Sequence, residues 1–155
     1  MKAADCYHVG LVVDDIDAAA ARFSTAAGYR WTKPIEATLS VTMADGDIAV
    51  PFRFVYSIQA PHLELIQEVP GTIWTTSPGG VAHHLGYWVD DLGAAAAQLE
   101  RAGYRLEARP SGDSLSTFAY YTDPAGTRIE IVDRMLFPDW PGFLGSMAAQ
   151  NITEE

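Results

Sequence analysis

Two histidines and two glutamates, His8, Glu64, His84 and Glu130, stand in strongly apolar surroundings in this 155-residue chain. A carboxylate flanked by apolar residues is costly to bury unless it is paired or bound to a cation. Two imidazoles and two carboxylates without a thiolate suit Zn, Ni, Co, Mn or Fe(II), and they argue against a closed structural zinc site. The four residues therefore predict one divalent-metal site.

An internal repeat links the four residues. The sequence YHVGLVVDDIDAAAARFSTAAGYRW (residues 7–31) resembles HHLGYWVDDLGAAAAQLERAGYRLE (residues 83–107), with His8 opposite His84. Further along, LELI around Glu64 resembles IEIV around Glu130. Histidines buried in a core and satisfied by local hydrogen bonds are the alternative interpretation, and four residues matched across a repeat weigh against it.

Each unit is predicted to fold as one strand, one helix and three further strands, βαβββ. Its opening run is rich in side chains that strands prefer, and paired aspartates then cap the start of an alanine-rich helix. The later strands are predicted at 37–43, 52–57 and 62–67 in the first unit, and at 116–122 and 127–133 in the second. The two units span about residues 5–70 and 81–134 of one domain, residues 1–134.

Strand alternation assigns the predicted ligands to one face. Because successive side chains of a strand point to opposite faces, His8 faces away from Tyr7 and Leu11, and Glu130 faces away from Ile129. The same relation holds for the matching residues of the other unit. The apolar faces are expected to pack on the helices, which leaves all four polar side chains on the opposite, concave surface.

These features resemble the vicinal oxygen chelate superfamily, which includes glyoxalase I, methylmalonyl-CoA epimerase, extradiol dioxygenases and bleomycin-binding proteins. The resemblance covers about residues 5–134 and rests on HVG at 8–10, VAHHLG at 81–86, the two VDD segments and DPAGTRIE at 123–130. It implies an α+β fold in which two tandem βαβββ modules form a curved mixed sheet around a metal-binding cup, with helices outside. The ligand histidine of that superfamily precedes an apolar residue and a glycine or alanine, which selects His84 over His83.

The resemblance is greatest to the methylmalonyl-CoA epimerase and glyoxalase I-like subgroup. It implies a metal-dependent isomerase, epimerase or lyase that acts on a small oxygen-chelating substrate through a metal-stabilised enolate. The proton would be moved either by a separate carboxylate near the metal or by one of Glu64 and Glu130 after its release from the ion. Epimerases of this kind usually carry a base on an early strand of the first module, whereas residues 37–56 offer no clear in-strand carboxylate. A non-catalytic, antibiotic-like binding protein and a metal-dependent dioxygenase are the alternatives. The retained ligands weigh against the first, and a fourth ligand at Glu64 weighs against the second.

Three further side chains share a face with the predicted ligands and are candidates for a substrate pocket. Trp88 shares the face of His84 and would form a pocket wall. Arg128 would bind an anionic group, or pair with a nearby glutamate. His62 would shuttle a proton, or lie at the rim of the pocket.

Charge and composition exclude several classes of function. Ten basic and twenty acidic residues give a formal net charge of −10, which disfavours nucleic acids and anionic membranes as partners. The chain shows no signal-peptide pattern and no apolar run that could cross a bilayer, so a cytoplasmic protein with a small-molecule substrate is expected. Residues 135–155 form an apolar extension that would pack back on its own domain, cover the cup as a lid, or form a homodimer interface.

Overall fold

The computed structural model describes residues 1–150, in which the eight strands and two of the three helices follow the repeat. The first unit contains β1 (Cys6–Val13), α1 (Ile16–Ala27), β2 (Ile35–Met43), β3 (Gly46–Tyr56) and β4 (Leu63–Gln67). The second contains β5 (His84–Val89), α2 (Leu92–Arg101), β6 (Arg105–Pro110), β7 (Phe118–Thr122) and β8 (Arg128–Asp133). Helix α3 (Trp140–Met147) follows the second unit, and short 3-10 turns occupy Ala3–Asp5 and Arg134–Leu136.

The eight strands close into a mixed barrel in the order β1-β4-β3-β2-β6-β7-β8-β5. Within each unit the first and last strands are parallel neighbours, β1 with β4 and β5 with β8. The units join through two antiparallel pairs, β1 with β5 and β2 with β6. This arrangement confirms the α+β architecture of two βαβββ modules, and it closes the curved sheet on itself.

Two strands differ from the sequence-based expectation. Strand β3 begins at Gly46, well before residue 52, and β6 occupies a stretch where no strand limits were predicted. The early part of β3 is mostly exposed and contains Pro51, which lowers the strand signal. The sequence RLEARP of β6 alternates charged residues with short apolar ones, so it carries little of the β-branched and aromatic content that marks a strand.

The paired aspartates cap the helices as predicted. The side chain of Asp15 accepts a hydrogen bond from the Ala18 amide, and that of Asp91 from the Ala94 amide, each at 2.9 Å. Gly28 ends α1 in the left-handed conformation, at φ 72°, which a glycine adopts without steric cost. No helix within residues 1–150 has the length and apolar character needed to cross a membrane.

Both helices pack on the predicted apolar faces of the first and last strands. Helix α1 covers an apolar cluster of β1 and β4 formed by Leu11, Val13, Leu63 and Leu65. Helix α2 covers the corresponding cluster of β5 and β8 formed by Tyr87, Val89, Ile129 and Ile131. Since alternate side chains point to opposite faces, His8, Glu64, His84 and Glu130 are directed into the barrel.

Tyr7 is an exception to the predicted alternation. The register between β1 and β5 shifts between Cys6 and His8, so Tyr7 is an extra residue opposite its partner strand. A bulge of this kind re-aims the side chain of the additional residue. Tyr7 consequently faces the interior, where it stacks on Trp88, and the prediction that it packs on a helix is wrong.

Two segments outside the repeated strands close the barrel. The link between the units buries Trp74 completely, against Phe52 and Tyr120. The C-terminal segment places Trp140 against Tyr7 and other aromatic rings. It then runs beside residue 32, with which Ala148 forms a β-bridge. Within residues 1–150 the C-terminal extension thus lies on its own domain, and the rest of it, residues 151–155, lies outside the described residues.

Candidate metal centre

Four donor atoms meet inside the barrel, one each from β1, β4, β5 and β8. The Nε2 atoms of His8 and His84 lie 2.9 Å apart. Each of these nitrogens lies 3.2 Å from Oε2 of Glu64 and from Oε2 of Glu130. The four strands are direct neighbours, so the pairing of the two units brings the whole His/Glu quartet together.

The quartet is almost completely buried, with exposed fractions between 2% and 7%. Burial alone would lower the pKa of His8 and raise that of Glu64, but the opposite charges within 3.2 Å outweigh it. The net result raises the pKa of His8 to about 9, and it holds the pKa of the Glu64 and Glu130 carboxyl groups below the usual range. Both glutamates are therefore carboxylates at neutral pH, which is the form that binds cations.

The spacing of the donor atoms fits a divalent ion. Ligands about 2.0–2.2 Å from one ion, at angles of about 90–109° around it, lie about 2.8–3.6 Å from one another. The observed separations of 2.9–3.2 Å fall in this range. Within residues 1–150, Oε2 of both glutamates is buried and accepts no hydrogen bond. Two such oxygens facing two imidazole nitrogens are costly without a cation between them, so the quartet could hold a metal ion.

Each histidine ring occupies space that a glycine of the other unit leaves free. In the β1–β5 pair Gly10 lies opposite His84, and Gly86 lies opposite His8. A Cβ atom at Gly10 would overlap the imidazole of His84, and a Cβ atom at Gly86 would overlap that of His8. The glycine two residues after each histidine is therefore a steric requirement of the other unit's ligand.

His83 orients the ring of His84 so that the Nε2 atom of His84 faces the centre. The Nε2 atom of His83 lies 2.8 Å from the Ile73 carbonyl oxygen, which can only accept, so this nitrogen carries the proton. Burial, followed by the neighbouring His84, lowers the pKa of His83 to about 4, and its ring is neutral at pH 7. Its Nδ1 therefore accepts from Nδ1–H of His84, 2.9 Å away, so Nε2 is the nitrogen of His84 that can bind a metal ion.

An apolar cavity of about 340 Å³ lies beside the quartet. Among the described residues, Glu64 and Glu130 are the only carboxylate side chains that line it. Three tyrosines also line the cavity: Tyr7, Tyr56 and Tyr120. Burial, together with the nearby glutamates, raises the pKa of each hydroxyl well above 10, so the hydroxyls stay protonated at neutral pH. Apart from Ser116 and Thr117, the other lining residues are Ile35, Ala37, Leu39, Phe52, Phe54, Ile66, Pro110, Phe118, Val132, Leu136 and Phe137.

Trp88 and His62, which the sequence placed in the pocket, do not line this cavity. Trp88 stacks on Tyr7 with ring centroids 3.5 Å apart. His62 donates from Nδ1 to the Ser57 carbonyl at 3.0 Å, and its ring contacts that of Trp140. Both side chains lie on the predicted side of the sheet, but Trp140 of the C-terminal segment packs on them and covers their end of the barrel.

Arg128 also lies outside the cavity lining. Its Nε and Nη2 donate to the two carboxylate oxygens of Glu107 at 2.7 and 2.8 Å, and its Nη1 donates to the His83 carbonyl. A guanidinium held by a bidentate carboxylate has its charge already compensated. The structure therefore matches the second interpretation given above, in which Arg128 pairs with a nearby glutamate.

Sequence reasoning missed several residues that surround the site. The bulge that turns Tyr7 inward leaves no mark in the residue pattern. Leu136 and Phe137 lie beyond the repeat, so alternation within strands says nothing about them. His83 had one usable signal, because a second histidine directly before a predicted ligand is a chemically capable neighbour of it.

The chain belongs to the superfamily whose model is described as "Glyoxalase/Bleomycin resistance protein/Dioxygenase superfamily", which matches residues 7–121. This match covers most of both units and confirms the resemblance drawn from the histidine and aspartate motifs. No curated protein sequence matches the chain significantly.

Solved structures with the same fold include several methylmalonyl-CoA epimerases. One, in complex with methylmalonyl-CoA and NH4+, is 17% identical with a TM-score of 0.58, over 83% of this chain and 93% of that chain. A variant of the Streptomyces coelicolor epimerase in complex with 2-nitronate-propionyl-CoA is 16% identical with a TM-score of 0.58, over 83% and 96%. The Mycobacterium tuberculosis epimerase is 21% identical with a TM-score of 0.56, over 83% and 87%. At these identities the likeness establishes the fold.

Proposed function

We propose that this protein is a divalent-metal-dependent isomerase or epimerase that moves a proton on a small carbonyl substrate, with lyase chemistry at the same site as its nearest variant. The proposal rests on one observation: the two carboxylates that line the apolar cavity are those of the buried His/Glu quartet. The epimerases of the same fold lend it support, since the substrate in their descriptions is methylmalonyl-CoA, a carbonyl compound.

His8, Glu64, His84 and Glu130 would hold the ion. When bound, the ion supplies a Lewis acid, which makes a C–H bond next to a carbonyl group more acidic. The protein contributes the dry, apolar wall that strengthens electrostatic interactions inside the cavity. The hydroxyl of Tyr7 is buried and has no hydrogen-bond partner within residues 1–150, so it is free to donate to a substrate oxygen.

Glu64 and Glu130 are the groups that would move the proton. One carboxylate takes the proton as the electron pair of the C–H bond shifts toward the carbonyl oxygen, and a glutamate later returns a proton to carbon. No electron is gained or lost in this exchange, so no oxidant or reductant is required. Return to the opposite face of the carbon inverts it, and return to a neighbouring atom isomerises the substrate.

Metal analysis and solvent-deuterium exchange test the proposal together. The purified protein is expected to bind about one divalent ion per chain and to catalyse exchange of a C–H proton in at least one acyl-CoA, hemithioacetal or 2-keto compound. Removal of the ion with a chelator should abolish exchange, and its return should restore it. A protein that binds no divalent ion, or that exchanges equally well without one, would contradict the proposal.

Replacing His83 by alanine is expected to weaken metal binding by about 10–100-fold, as loss of a hydrogen-bond partner to a ligand histidine usually does. Without His83, the Nδ1–H of His84 loses its acceptor, and the ring is no longer held in one orientation. The change is measured by competition between Zn²⁺ and a chromophoric chelator, and by the visible absorption of the Co²⁺-loaded protein.

The matched variant is His83→Gln, whose side-chain oxygen can accept from His84 while its amide nitrogen donates to the Ile73 carbonyl. This variant should recover most of the metal affinity that His83→Ala loses. Equal affinities in the wild type and in His83→Ala would show that His83 does not position the ligand.

A further inference from the structure

Beyond the glutamates the cavity wall is mainly apolar, and its other polar groups are uncharged hydroxyls. Its volume of about 340 Å³ lies near the lower limit of small-molecule sites, which run from about 300 to 1,000 Å³. Aromatic and branched aliphatic side chains form most of the wall, among them Ile35, Phe52, Phe54, Ile66, Phe118 and Val132. A wall of this kind selects a ligand body that is itself apolar.

Among the described residues, no lysine or arginine side chain lines the cavity. Three arginines of the barrel and its ends are instead held by carboxylates elsewhere. Arg53 pairs with Asp17 and Glu36, Arg128 pairs with Glu107, and Arg134 pairs with Asp5 and Asp90. Away from the metal centre, a phosphate or carboxylate of a ligand would therefore lose its hydration in this cavity without gaining a lysine or arginine partner.

The charges of the metal centre add little long-range attraction for an anion. A divalent ion bound by the Glu64 and Glu130 carboxylates and two neutral imidazoles gives a centre with no net charge. The chain as a whole has a formal net charge of −10, which repels an approaching anion at long range. The ion can thus accept neutral oxygens, the compensated charge of the centre gives little long-range attraction for an anion, and the field of the chain opposes its approach.

Among the described residues, those at the rim of the cavity are uncharged and mostly apolar, with Ser116 as an exposed polar member. Leu39 and Leu136 both line it, and they are 37% and 44% exposed, so they mark where it opens to solvent. An acyl-CoA would have to lay its charged diphosphate chain across such a rim. An uncharged molecule meets no such penalty.

We infer that the ligand of this cavity is an uncharged carbonyl compound with a second oxygen on the neighbouring carbon and an aromatic or branched aliphatic body. The position of its two oxygens, at the ion, rests on the proposed function, whereas its neutral and apolar character rests mainly on the cavity lining and on the net charge of the chain. This substrate class separates the protein from the epimerases of the same fold that were solved with CoA thioesters.

Matched probes test the inference. 2-Hydroxyacetophenone (C6H5–CO–CH2OH) is neutral and carries oxygens on two neighbouring side-chain carbons next to an aromatic ring, while phenylglyoxylate has nearly the same size and a carboxylate. Calorimetric titration of the full chain, with and without Zn²⁺, should show 2-hydroxyacetophenone binding at least about tenfold more tightly than phenylglyoxylate, and acetyl-CoA binding more weakly still. Equal or tighter binding of either anion, or binding of no probe at millimolar concentration, overturns the inference.

A charge variant at the rim gives a second measurement. Leu39→Lys places an ammonium group at the mouth of the cavity on a side chain that is already partly exposed. It should narrow or reverse the preference for the neutral probe. Ile48→Lys on the neighbouring strand adds the same charge at a similarly exposed position outside the lining, and it should leave the preference unchanged. The same shift in both variants would mean that net charge, and not the cavity, sets the selectivity.

The two proposals fail in different ways. Failure of the metal-dependent function would appear as absence of bound ion or of deuterium exchange, even though the metal-free protein still preferred the neutral probe. Failure of the ligand inference would appear as exchange confined to CoA thioesters or to carboxylates, with metal dependence intact.

Discussion

Replacing Glu130 by glutamine is expected to lower the rate of solvent-deuterium exchange by about 10²–10⁴-fold, the usual effect of losing a general base. The amide preserves the shape of the side chain and one oxygen donor, but it cannot take a proton. Because it is also neutral, it weakens the hold on the ion, so the rate must be measured at saturating Zn²⁺ or Co²⁺. Proton NMR of the exchanging substrate in D₂O gives the rate directly.

Glu36→Gln is the matched control for this substitution. Glu36 is also a strand glutamate, but its side chain is exposed and paired with Arg53 on the outside of the barrel. Its exchange rate should equal that of the wild type. Comparison with Glu64→Gln then shows which glutamate accepts the proton first. Unchanged exchange in Glu130→Gln, with the ion bound, would remove Glu130 from the reaction.

Replacing Gly86 by alanine is expected to destroy the metal centre while leaving every ligand in the sequence. The added Cβ overlaps the imidazole of His8, which must leave its position among the donor atoms. Since three remaining ligands bind an ion far less well than four in register, divalent-ion affinity should fall by at least about 100-fold, beyond the usual effect of losing an outer partner. Chelator competition measures the loss, and circular dichroism shows whether the strands persist.

Gly93→Ala provides the control for the Gly86 variant. Gly93 lies exposed on α2, and a Cβ atom there meets only Asp91 at 3.4 Å, an ordinary contact. This substitution should leave metal affinity unchanged and raise the free energy of unfolding by about 0.5–1 kcal/mol, because alanine favours a helix over glycine. Full metal affinity in Gly86→Ala would show that the His8 ring can bind from another position.

The fold was largely predictable because the sequence repeats itself. Matching aspartates located both helices, and the apolar residues around Glu64 and Glu130 located the last strand of each unit. What escaped was local: β6 has little strand character, and Pro51 concealed the length of β3. Register shifts such as the one at Tyr7 arise from how two strands meet, so a single strand's sequence does not reveal them.

The four candidate ligands could be predicted from the sequence, whereas most of the cavity beside them could not. Histidines and glutamates buried among apolar residues are unusual, and strand alternation gives their common face. Alternation does not give depth along the barrel, which is why Trp88, Arg128 and His62 are pocket candidates by sequence although none of them lines the cavity. The wall itself includes Leu136 and Phe137 from a segment outside the repeat, whose position depends on tertiary packing alone.

Because each glycine makes room for the histidine of the other unit, the two units of the chain constrain each other's evolution. After a duplication, the sequences of the two copies can ordinarily diverge independently, each constrained only by its own folding. Here a larger residue at Gly10 would displace the ligand His84 of the second unit, and a larger residue at Gly86 would displace His8 of the first. Each unit supplies the small residue that the other unit's histidine requires. Neither unit could therefore replace its glycine without loss of the shared centre.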